Sequence, residues 1–596
     1  MKKLDSKSTL LNLGCILVIA MVVLARGWHA FIPGMSFSAP SGDGLSTMAW
    51  MNEILQTYKE FGVTHLMTPL DLIVPTGSGG GLTTPNTFYH FWKLLFIGLD
   101  PFLSLDNIYD VILLVGIGLT GIATYVLGLS FQMNRLAALI TALFAISLEN
   151  IDHRLVGHMF LAFWLGPLVM LYLVKRYIEN PKYLTAFLLA FSVVGSFIQC
   201  EYYTYFGGIF VCVFGLSLLY GQWKTAKNTP KLLEEWKSRF QVKTVLPQIL
   251  LSFLLLLGLM AVLFPSLVHP YDQSITFKTR GLFEFNLYSL RNPASLFAPG
   301  IEFLRDFIPY RRLGVKGEMT FRLGIFFWAG LAYLLKKSWG FLSDKEKIFI
   351  KALSIAGVVN LLFAFTPGSF PWFSQITLHL FPMFRVGVRS VLFTDIAAIF
   401  ILGIALHSLL KHFRGKSIVL PLVVTFFAFW DVQGPGRGLL GAYKTYALPP
   451  SSPVLETLKA APAGWVLDIP MWSNQDIFEW DSDQNYRRIQ HGKKLVNIVR
   501  GHQNSPYTIK INALTQIVNQ LDSGLMDFAT KIGIHYFLVA SYMDTEALDP
   551  YLETGELKKI QEDERFTLYQ LESTNVFSKE SYKAYLDTLE ADQPAN

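Results

Sequence analysis

Charged residues and cysteines are scarce in this sequence. Of its 596 residues only 16% are charged, whereas 52% are hydrophobic and 14% aromatic, and the mean hydropathy is +0.38. The three cysteines, Cys15, Cys200 and Cys212, lie in or beside apolar segments, so they suggest neither a disulfide framework nor a zinc site. A chain this long and this apolar cannot form one soluble core. We therefore predict a polytopic α-helical membrane protein.

Several catalytic and binding signatures are also missing. No Ser-His-Asp order is present, and the glycine-rich residues 77–81 are not followed by the Lys-Ser/Thr of a phosphate-binding loop. No acidic spacing matches a twelve-residue calcium loop, so we interpret four carboxylates of the C-terminal region as solvated loop groups: Asp468, Asp476, Asp481 and Asp483. The net charge of +6 comes from cations clustered between apolar segments, which indicates membrane topology rather than nucleic-acid binding.

The apolar residues form eleven runs, and each is a candidate membrane span. They cover residues 10–32, 106–130, 136–148, 159–174, 184–199, 204–222, 244–265, 321–335, 348–366, 391–410 and 418–431. A helix perpendicular to the membrane needs about 20 residues, so the shorter runs must extend into flanking residues or lie in a thinner bilayer. The sequence thus predicts a transmembrane domain over residues 1–432.

The basic residues predict how these spans are oriented. Lys2, Lys3 and Lys7 precede the first run, and lysines and arginines then recur in every second loop. Because cytoplasmic loops are enriched in cations, the N-terminus is expected in the cytoplasm and the protein in the cytoplasmic membrane. The loops 33–105, 149–158, 266–320 and 367–390 are then external. An odd number of spans also exports everything after about residue 432.

The exported C-terminal region differs from the rest in composition. Short apolar stretches at 464–470, 494–499, 535–540 and 566–571 are typical of strands, and 453–460 of a helix. We predict an extracytoplasmic α/β domain over residues 445–575. A polar, acidic tail over 576–596 is expected to be poorly ordered.

The first external loop, residues 34–105, contains one candidate catalytic group. Asp43 lies between two glycines in Pro40-Ser-Gly-Asp-Gly44, just outside the first run. Apolar residues recur at helical spacing over 48–61, which predicts a helix lying at the membrane interface. Such a helix would hold Asp43 near the lipid headgroups.

The second external loop places five ionisable groups in ten residues. These are Glu149, Asp152, His153, Arg154 and His158. A short loop can be polar only because it is hydrated. However, His158 leads directly into the next run, at a depth where a titratable group is costly and usually functional. His153 and His158 are five residues apart, which suits two ligands on one helix face poorly, so a metal would also need Asp43 or Asp152.

Three further residues are candidates for substrate binding. Glu201 lies between two runs, where it would either cap the next helix or face a cavity. Arg385 and Arg389 are four residues apart just before the tenth run, an arrangement suited to phosphate oxygens. The alternatives are that these arginines extend to the headgroups, or that one pairs with Asp395.

Taken together, these motifs resemble those of bacterial GT-C membrane glycosyltransferases. The resemblance rests on the carboxylate of the first external loop, on Gly157-His158 before Trp164-Leu-Gly-Pro167, on Phe384-Arg-x-x-x-Arg389 and on the exported α/β domain. It runs over most of the chain and is nearest to cell-envelope members that use polyprenyl-phosphate sugars. This sequence has Gly-Asp-Gly where some relatives have an Asp-x-Asp or Glu-x-Asp pair, so metal dependence stays open.

The resemblance implies an inverting transfer of a sugar from a polyprenyl-phosphate donor to a glycan, lipid or protein acceptor of the cell envelope. Asp43 would be the general base, with Asp152 and His158 also catalytic. Arg385, Arg389, His153 and Glu201 would bind substrate. No cofactor is certain; if a divalent metal, Mg²⁺ or Mn²⁺, takes part, Asp43, Asp152 and His158 would hold it.

Two other functions fit parts of the sequence. A transporter or flippase of a lipid-linked glycan would explain Asp395 and His407 within a span. A non-catalytic envelope scaffold would use the α/β domain to bind partners. Neither accounts as well for the polar residues grouped in external loops.

Overall fold

The computed structural model describes most of the chain. The described residues are 6–38, 48, 51–52, 54–55, 58–59, 90–155, 161–263, 323–365, 387–413, 415–433, 441–471, 486–496, 507–521, 523–572, 575 and 579–589. They divide into two compact units. The first comprises Met1–Phe31, Asp110–Leu263 and Asp272–Lys444, and the second comprises Ile32–Tyr109, Phe264–Tyr271 and Thr445–Asn596.

Fourteen helices are described before residue 433. They are α1 (Ser6–Gly27), α2 (His90–Leu99), α3 (Leu105–Ser130), α4 (Arg135–Ala145), α5 (Glu149–Leu155), α6 (Leu165–Glu179), α7 (Tyr183–Gln199), α8 (Glu201–Lys227), α9 (Pro230–Arg239), α10 (Val242–Leu263), α11 (Ile325–Ser338), α12 (Asp344–Ala364), α13 (Val391–His412) and α14 (Val419–Val432). Each of the eleven predicted apolar runs overlaps one of these helices. Among the described residues, six helical stretches are long and apolar enough to cross a membrane: Ser8–Phe31, Leu105–Ser130, Tyr202–Lys227, Pro230–Leu259, Asp344–Ala364 and Gly387–His412. The number of crossings therefore stays a prediction.

Helix α13 is the central helix of the first unit. It packs against α4, α11 and α12, and 94% of its most apolar window is buried. A helix that is apolar on all sides is stable only when other helices surround it. Phe131 packs edge-to-face against Phe349 and Phe400 at ring distances of 5.0 and 5.4 Å. By contrast, only 6% of the most apolar stretch of the span that contains α10 is buried, so α10 is a peripheral helix.

Polar side chains define the ends of several helices in the first unit. Ser343 and Glu346 form a capping box at the start of α12. At the start of α11, Asp431 from α14 accepts a hydrogen bond from the backbone N–H of Phe326 at 2.7 Å. Gly324 precedes α11 with φ +83°, and a Cβ there would clash with the Asp431 carboxylate. Asp431 therefore joins the two helices as a structural group.

The second unit contains a five-stranded sheet. Two short strands, β1 (Met35–Ser36) and β2 (Tyr446–Ala447), form a separate pair. The five strands of the larger sheet are β3 (Trp465–Ile469), β4 (Lys494–Leu495), β5 (Tyr536–Ala540), β6 (Leu557–Glu562) and β7 (Phe566–Leu571). The order is β4-β3-β5-β7-β6, in which β3 is parallel to β4 and β5, and β7 is antiparallel to β5 and β6. The predicted α/β character of this region is confirmed.

Helices cover both faces of this sheet. They are α15 (Pro453–Ala460), α16 (Tyr507–Asn519), α17 (Ser523–Ile532), α18 (Asp549–Glu553) and α19 (Lys579–Thr588). One apolar core includes Leu467, Phe537 and Phe528, and the other includes Leu458, Val466 and Leu538. Neighbouring residues of β3 thus point into different cores, as the alternation of side chains along a strand requires.

The predicted first external loop belongs to the same unit as the sheet. Strand β1 pairs antiparallel with β2, so the chain just before Asp43 is joined to the chain that enters the α/β domain. In the stretch 48–61 the described residues are helical, and Met48, Met51, Ile54 and Leu55 are buried within the protein. The predicted helix is therefore present at these residues.

Two expectations for the C-terminal region were wrong. Asp468 is not a solvated loop group: it lies in β3, is fully buried and pairs with Arg487, whose Nε and Nη2 donate to its carboxylate at 2.8 and 3.0 Å. Part of the supposed tail forms α19, because Tyr582 is buried and packs near Phe528 at a ring distance of 6.0 Å. One buried aromatic thus stabilises a segment whose composition is otherwise polar.

Candidate functional site

The structure describes the predicted site residues to different extents. Arg389 is described completely. The backbones of Asp152 and His153 lie in α5 and that of Glu201 begins α8, but their side chains are outside the description. Asp43, His158 and Arg385 lie outside the described residues altogether.

Arg389 is held in a short 3₁₀ turn, Gly387–Ser390, immediately before α13. The Ser390 hydroxyl donates to the carbonyls of Asn360 and Gly387, each at 2.8 Å, which attaches this turn to α12. The Arg389 guanidinium lies 4.2 Å from the centre of the Tyr202 ring. Both side chains are only 8% exposed. The turn therefore fixes a buried cation beside the first turn of α8, the turn that contains Glu201.

The buried position of Arg389 distinguishes between the roles considered for this residue. An arginine that extends to the headgroups would expose its guanidinium, whereas this one is buried against an aromatic ring. Asp395 forms no ion pair in the described part of the chain, and its buried Oδ1 has no hydrogen-bond partner there. Pairing between Arg389 and Asp395 is thus not observed. A desolvated cation–π contact contributes about 2 kcal/mol.

Leu161 lies in a 3₁₀ turn and residues 162–164 form an irregular stretch of backbone that leads into α6. Tyr203 Oη donates to the Leu161 carbonyl at 2.6 Å, and Thr120 Oγ1 accepts from the Trp164 N–H at 3.2 Å. Gln199 Nε2 donates to the Phe163 carbonyl. Irregular backbone at membrane depth is stable only when its polar groups are paired, so α3, α7 and α8 each supply a side chain for this purpose.

Gln199 has a second hydrogen bond, which explains why an amide side chain is needed at this position. Its Oε1 accepts from the Gly166 N–H at 2.8 Å, so one side chain supplies a donor and an acceptor to the same stretch. Gly166 itself is required because a Cβ there would lie 2.6 Å from Ser196 Cα. The close approach of α6 and α7 thus keeps Gln199 within reach. These contacts hold the chain that directly follows Gly157-His158.

Helix α5 contains four of the five ionisable residues of the predicted second external loop. Glu149, Asn150 and Arg154 are buried, at 6%, 2% and 3% exposure, and Arg154 Nε donates to Asn150 Oδ1 at 3.3 Å. A loop that is polar only because it is hydrated would expose these groups. Their burial instead indicates a built polar cluster. Asp152 and His153 lie on the backbone of this same short helix.

Arg26 is a residue of this region that our sequence analysis missed. It is 1% exposed, and its guanidinium donates to Ser147 Oγ at 2.6 Å, to the Ile146 carbonyl at 3.3 Å and to the Gly441 carbonyl at 3.0 Å. The guanidinium also lies 4.4 Å from the Tyr443 ring centre. These contacts join the end of α1 to the turn that leads into α5. The sequence feature that could have identified Arg26 is a single arginine within an otherwise apolar run.

The described residues contain no group of three or more His, Cys, Asp or Glu that could hold a metal. The three expected ligands, Asp43, Asp152 and His158, fall outside the described side chains. The described part of the site therefore consists of a buried cation, a hydrogen-bonded break between helices and a buried polar helix. Such an arrangement can hold an anionic group near the end of a span.

Comparisons with known proteins support the fold. No family model matches the chain, and no curated protein matches it. A mycobacterial structure, the arabinofuranosyltransferase AftD, is similar over 95% of this chain, with 12% identity and a TM-score of 0.50. The match covers only 42% of AftD, so the chain spans less than half the length of that protein.

A second similar structure is the oligosaccharyltransferase AglB of Archaeoglobus fulgidus, in complex with an inhibitory peptide and a dolichol-phosphate. It has 12% identity and a TM-score of 0.44 over 90% of this chain and 70% of AglB. Together with the described helices, the likeness to AftD confirms the expected polytopic α-helical membrane fold.

Proposed function

We propose that this protein is a membrane glycosyltransferase that moves a sugar from a polyprenyl-phosphate-linked donor to an acceptor of the cell envelope. The observation on which the proposal depends most is the GT-C-like fold, which extends over 95% of the chain. The buried Arg389 adds independent support, because a cation fixed near the end of a span suits a lipid phosphate.

The reaction is proposed to occur on the outer face of the cytoplasmic membrane. The distribution of lysines and arginines supports a cytoplasmic N-terminus and an external C-terminal domain. The first external loop, α5 and the turn containing Arg389 would then meet the donor where its phosphate reaches the headgroups.

Asp43 is proposed as the general base. Its carboxylate would take the proton of the acceptor hydroxyl while that oxygen attacks the anomeric carbon of the sugar. The bond from this carbon to the lipid phosphate oxygen breaks in the same step, so the configuration inverts. Polyprenyl phosphate leaves with the bonding electrons. Asp152 and His158 belong to this proposal as further catalytic groups of the second loop.

The departing phosphate gains negative charge, which the protein must stabilise. Arg385 and Arg389 are proposed to bind it, with His153 and Glu201 contacting the rest of the substrate. The Tyr202 contact fixes the Arg389 guanidinium without neutralising its charge. A fixed charge in a region of low dielectric stabilises a developing anion more than a hydrated one, because little reorganisation is needed.

The test uses purified protein in lipid nanodiscs with a polyprenyl-phosphate sugar labelled in the sugar. A glycosyltransferase releases polyprenyl phosphate and transfers the label to a membrane-extract acceptor. In sealed vesicles, a flippase moves intact donor across the bilayer without release, and a scaffold does neither. Treatment with EDTA, followed by Mg²⁺ or Mn²⁺, then determines whether transfer requires a divalent metal. Translocation without cleavage would contradict the proposal.

A further inference from the structure

Helix α9, residues Pro230–Arg239, differs from the packed helices of the first unit because none of its residues is buried. It follows α8 and forms the first part of the candidate span Pro230–Leu259, ahead of α10. The chain leaves the helical conformation at Phe240, with φ −104° and ψ 35°, before α10 begins at Val242. The ends of two apolar helices therefore keep α9 close to the membrane surface.

The apolar residues of α9 share one side of the helix. At about 100° per residue, Leu232, Trp236 and Leu233 fall within a sector about 100° wide. The Phe240 ring continues this sector, with its centre 5.0 Å from the centre of the Trp236 ring. Leu232 is 44% exposed and the other three side chains are half-buried, so the rest of the protein covers the sector only in part. Such a helix favours the boundary between headgroups and acyl chains.

The cations of α9 are placed at the two edges of this apolar sector. Lys237 lies about 40° beyond one edge and Arg239 about 20° beyond the other, so both can reach headgroups while the sector enters the acyl boundary. Lys231 and Glu234, by contrast, lie on the far side of the helix. Position therefore distinguishes Lys237 from Lys231, although both have the same side chain.

The surrounding chain adds to this positive charge. Residues 224–243 contain six cations against two glutamates, Glu234 and Glu235: Lys224, Lys227, Lys231, Lys237, Arg239 and Lys243. Within the described part of the chain, no ion pair involves any of these six. Lys227 instead lies 5.5 Å from the Trp223 ring centre. The segment thus presents a net positive charge beside partly exposed apolar side chains.

We propose that residues 224–243 form a docking surface for anionic phospholipid headgroups, with α9 lying along the interface. Charge complementarity selects the partner, and attachment to two apolar helices places the surface in contact with a leaflet. A soluble acidic protein fits this location less well, because Leu232 and Trp236 would remain beside the bilayer. The inference does not depend on the glycosyltransferase assignment.

The expected strength follows from the charges at the edges of the sector. Each lysine or arginine near an anionic membrane surface strengthens binding by about five-fold. Removal of either Lys237 or Arg239 should therefore weaken binding of anionic lipid by about that factor, and removal of both by about 25-fold. The attraction should also weaken as salt rises, because exposed charges are screened.

The experiment titrates phosphatidylglycerol or phosphatidylcholine into the full-length protein in a neutral detergent and measures apparent affinity from the lipid-induced thermal shift. The variants are Lys237→Gln, Arg239→Gln and their double substitution. Lys231→Gln is the matched control, since it removes one charge from the far side of the same helix. The unfolding midpoint without lipid shows whether each variant is folded.

The proposal predicts preference for phosphatidylglycerol, a loss in the two edge variants larger than in Lys231→Gln, and weaker binding at high salt. It is overturned if Lys231→Gln and Lys237→Gln lose affinity equally, if phosphatidylcholine binds as well, or if inorganic phosphate alone gives the same shift. Salt-independent binding by the wild-type protein would also overturn it, and that measurement requires no variant.

Discussion

Replacing Gln199 by leucine should destabilise the first unit, because two backbone groups would lose their partner. Gln199 donates to the Phe163 carbonyl and accepts from the Gly166 N–H, and it is 7% exposed. Leucine is similar in size but makes neither hydrogen bond. A buried polar group left without a partner costs about 1–3 kcal/mol, so the expected loss is about 2–6 kcal/mol.

The assay is equilibrium unfolding of the purified protein in mixed micelles, titrated with a denaturing detergent. Gln222→Leu is the matched control: Gln222 lies in α8, its Oε1 has no hydrogen-bond partner, and no hydrogen bond of this residue is seen in the described part of the chain. That substitution should not lower the free energy of unfolding, because it removes a buried oxygen that has no hydrogen-bond partner. Equal stability of the two variants would refute the role assigned to Gln199.

The Gln199→Glu variant adds a pH dependence. A neutral carboxylic acid can donate to Phe163 and accept from Gly166, whereas a carboxylate can only accept. Only the protonated side chain can therefore keep both hydrogen bonds of Gln199. The folded state of this variant therefore binds a proton more readily than the unfolded state, so its stability should rise as pH falls. A variant whose stability is independent of pH would argue against the two-hydrogen-bond geometry.

Four other predictions can be tested with single substitutions. Asp43→Asn should lower transfer by about 100- to 10,000-fold with donor binding kept, since the amide cannot accept the proton; substantial activity in this variant would exclude Asp43 as the base. Arg389→Ala should weaken donor binding more than Arg389→Lys does, as measured by lipid-phosphate affinity, and equal affinities for both variants and wild type would remove Arg389 from the site. Arg26→Gln should speed hydrogen exchange over residues 146–155, because the turn before α5 loses contacts with a fixed cation, and unchanged exchange would contradict this role. Burial, together with nearby Arg487, Arg488 and Lys493, lowers the pKa of His491 from 6.5 to about 3. The unfolded chain therefore binds a proton on this residue before the folded domain does, so stability should fall as pH drops from about 6.5 towards 3. His491→Gln should flatten that slope in acid unfolding monitored by exchange in β3 and β5, and an unchanged slope would contradict the assignment.

The sequence was sufficient to locate the helices and strands that depend on a local pattern of residues. Burial of apolar surface in a membrane requires long apolar helices, so all eleven runs could be located, and each overlaps a helix. Strands β3, β5 and β7 were likewise visible as short apolar stretches. The edge strand β6 was missed because exposed positions such as Lys558 and Lys559 interrupt its hydrophobic pattern.

The candidate site could be predicted only in part. Arg389 was recognised from its spacing and from the span that follows, but its contact with Tyr202 joins two segments nearly 190 residues apart in the chain. Asp468 was wrongly interpreted as a solvated loop group because no local pattern indicates its partner, Arg487. The roles of Asp43, Asp152 and His158 stay predictions.

Composition and periodicity by themselves determined that this chain enters a membrane, where its helices lie and which of its loops are polar. Tertiary structure alone decided that Arg26 contacts Ile146 and Ser147, and that Gln199 pairs with both Phe163 and Gly166. Hydrophobic periodicity is a sum over many neighbouring residues and survives in any short window of sequence. A hydrogen bond between distant residues depends on the three-dimensional arrangement of both backbones, which no short window contains.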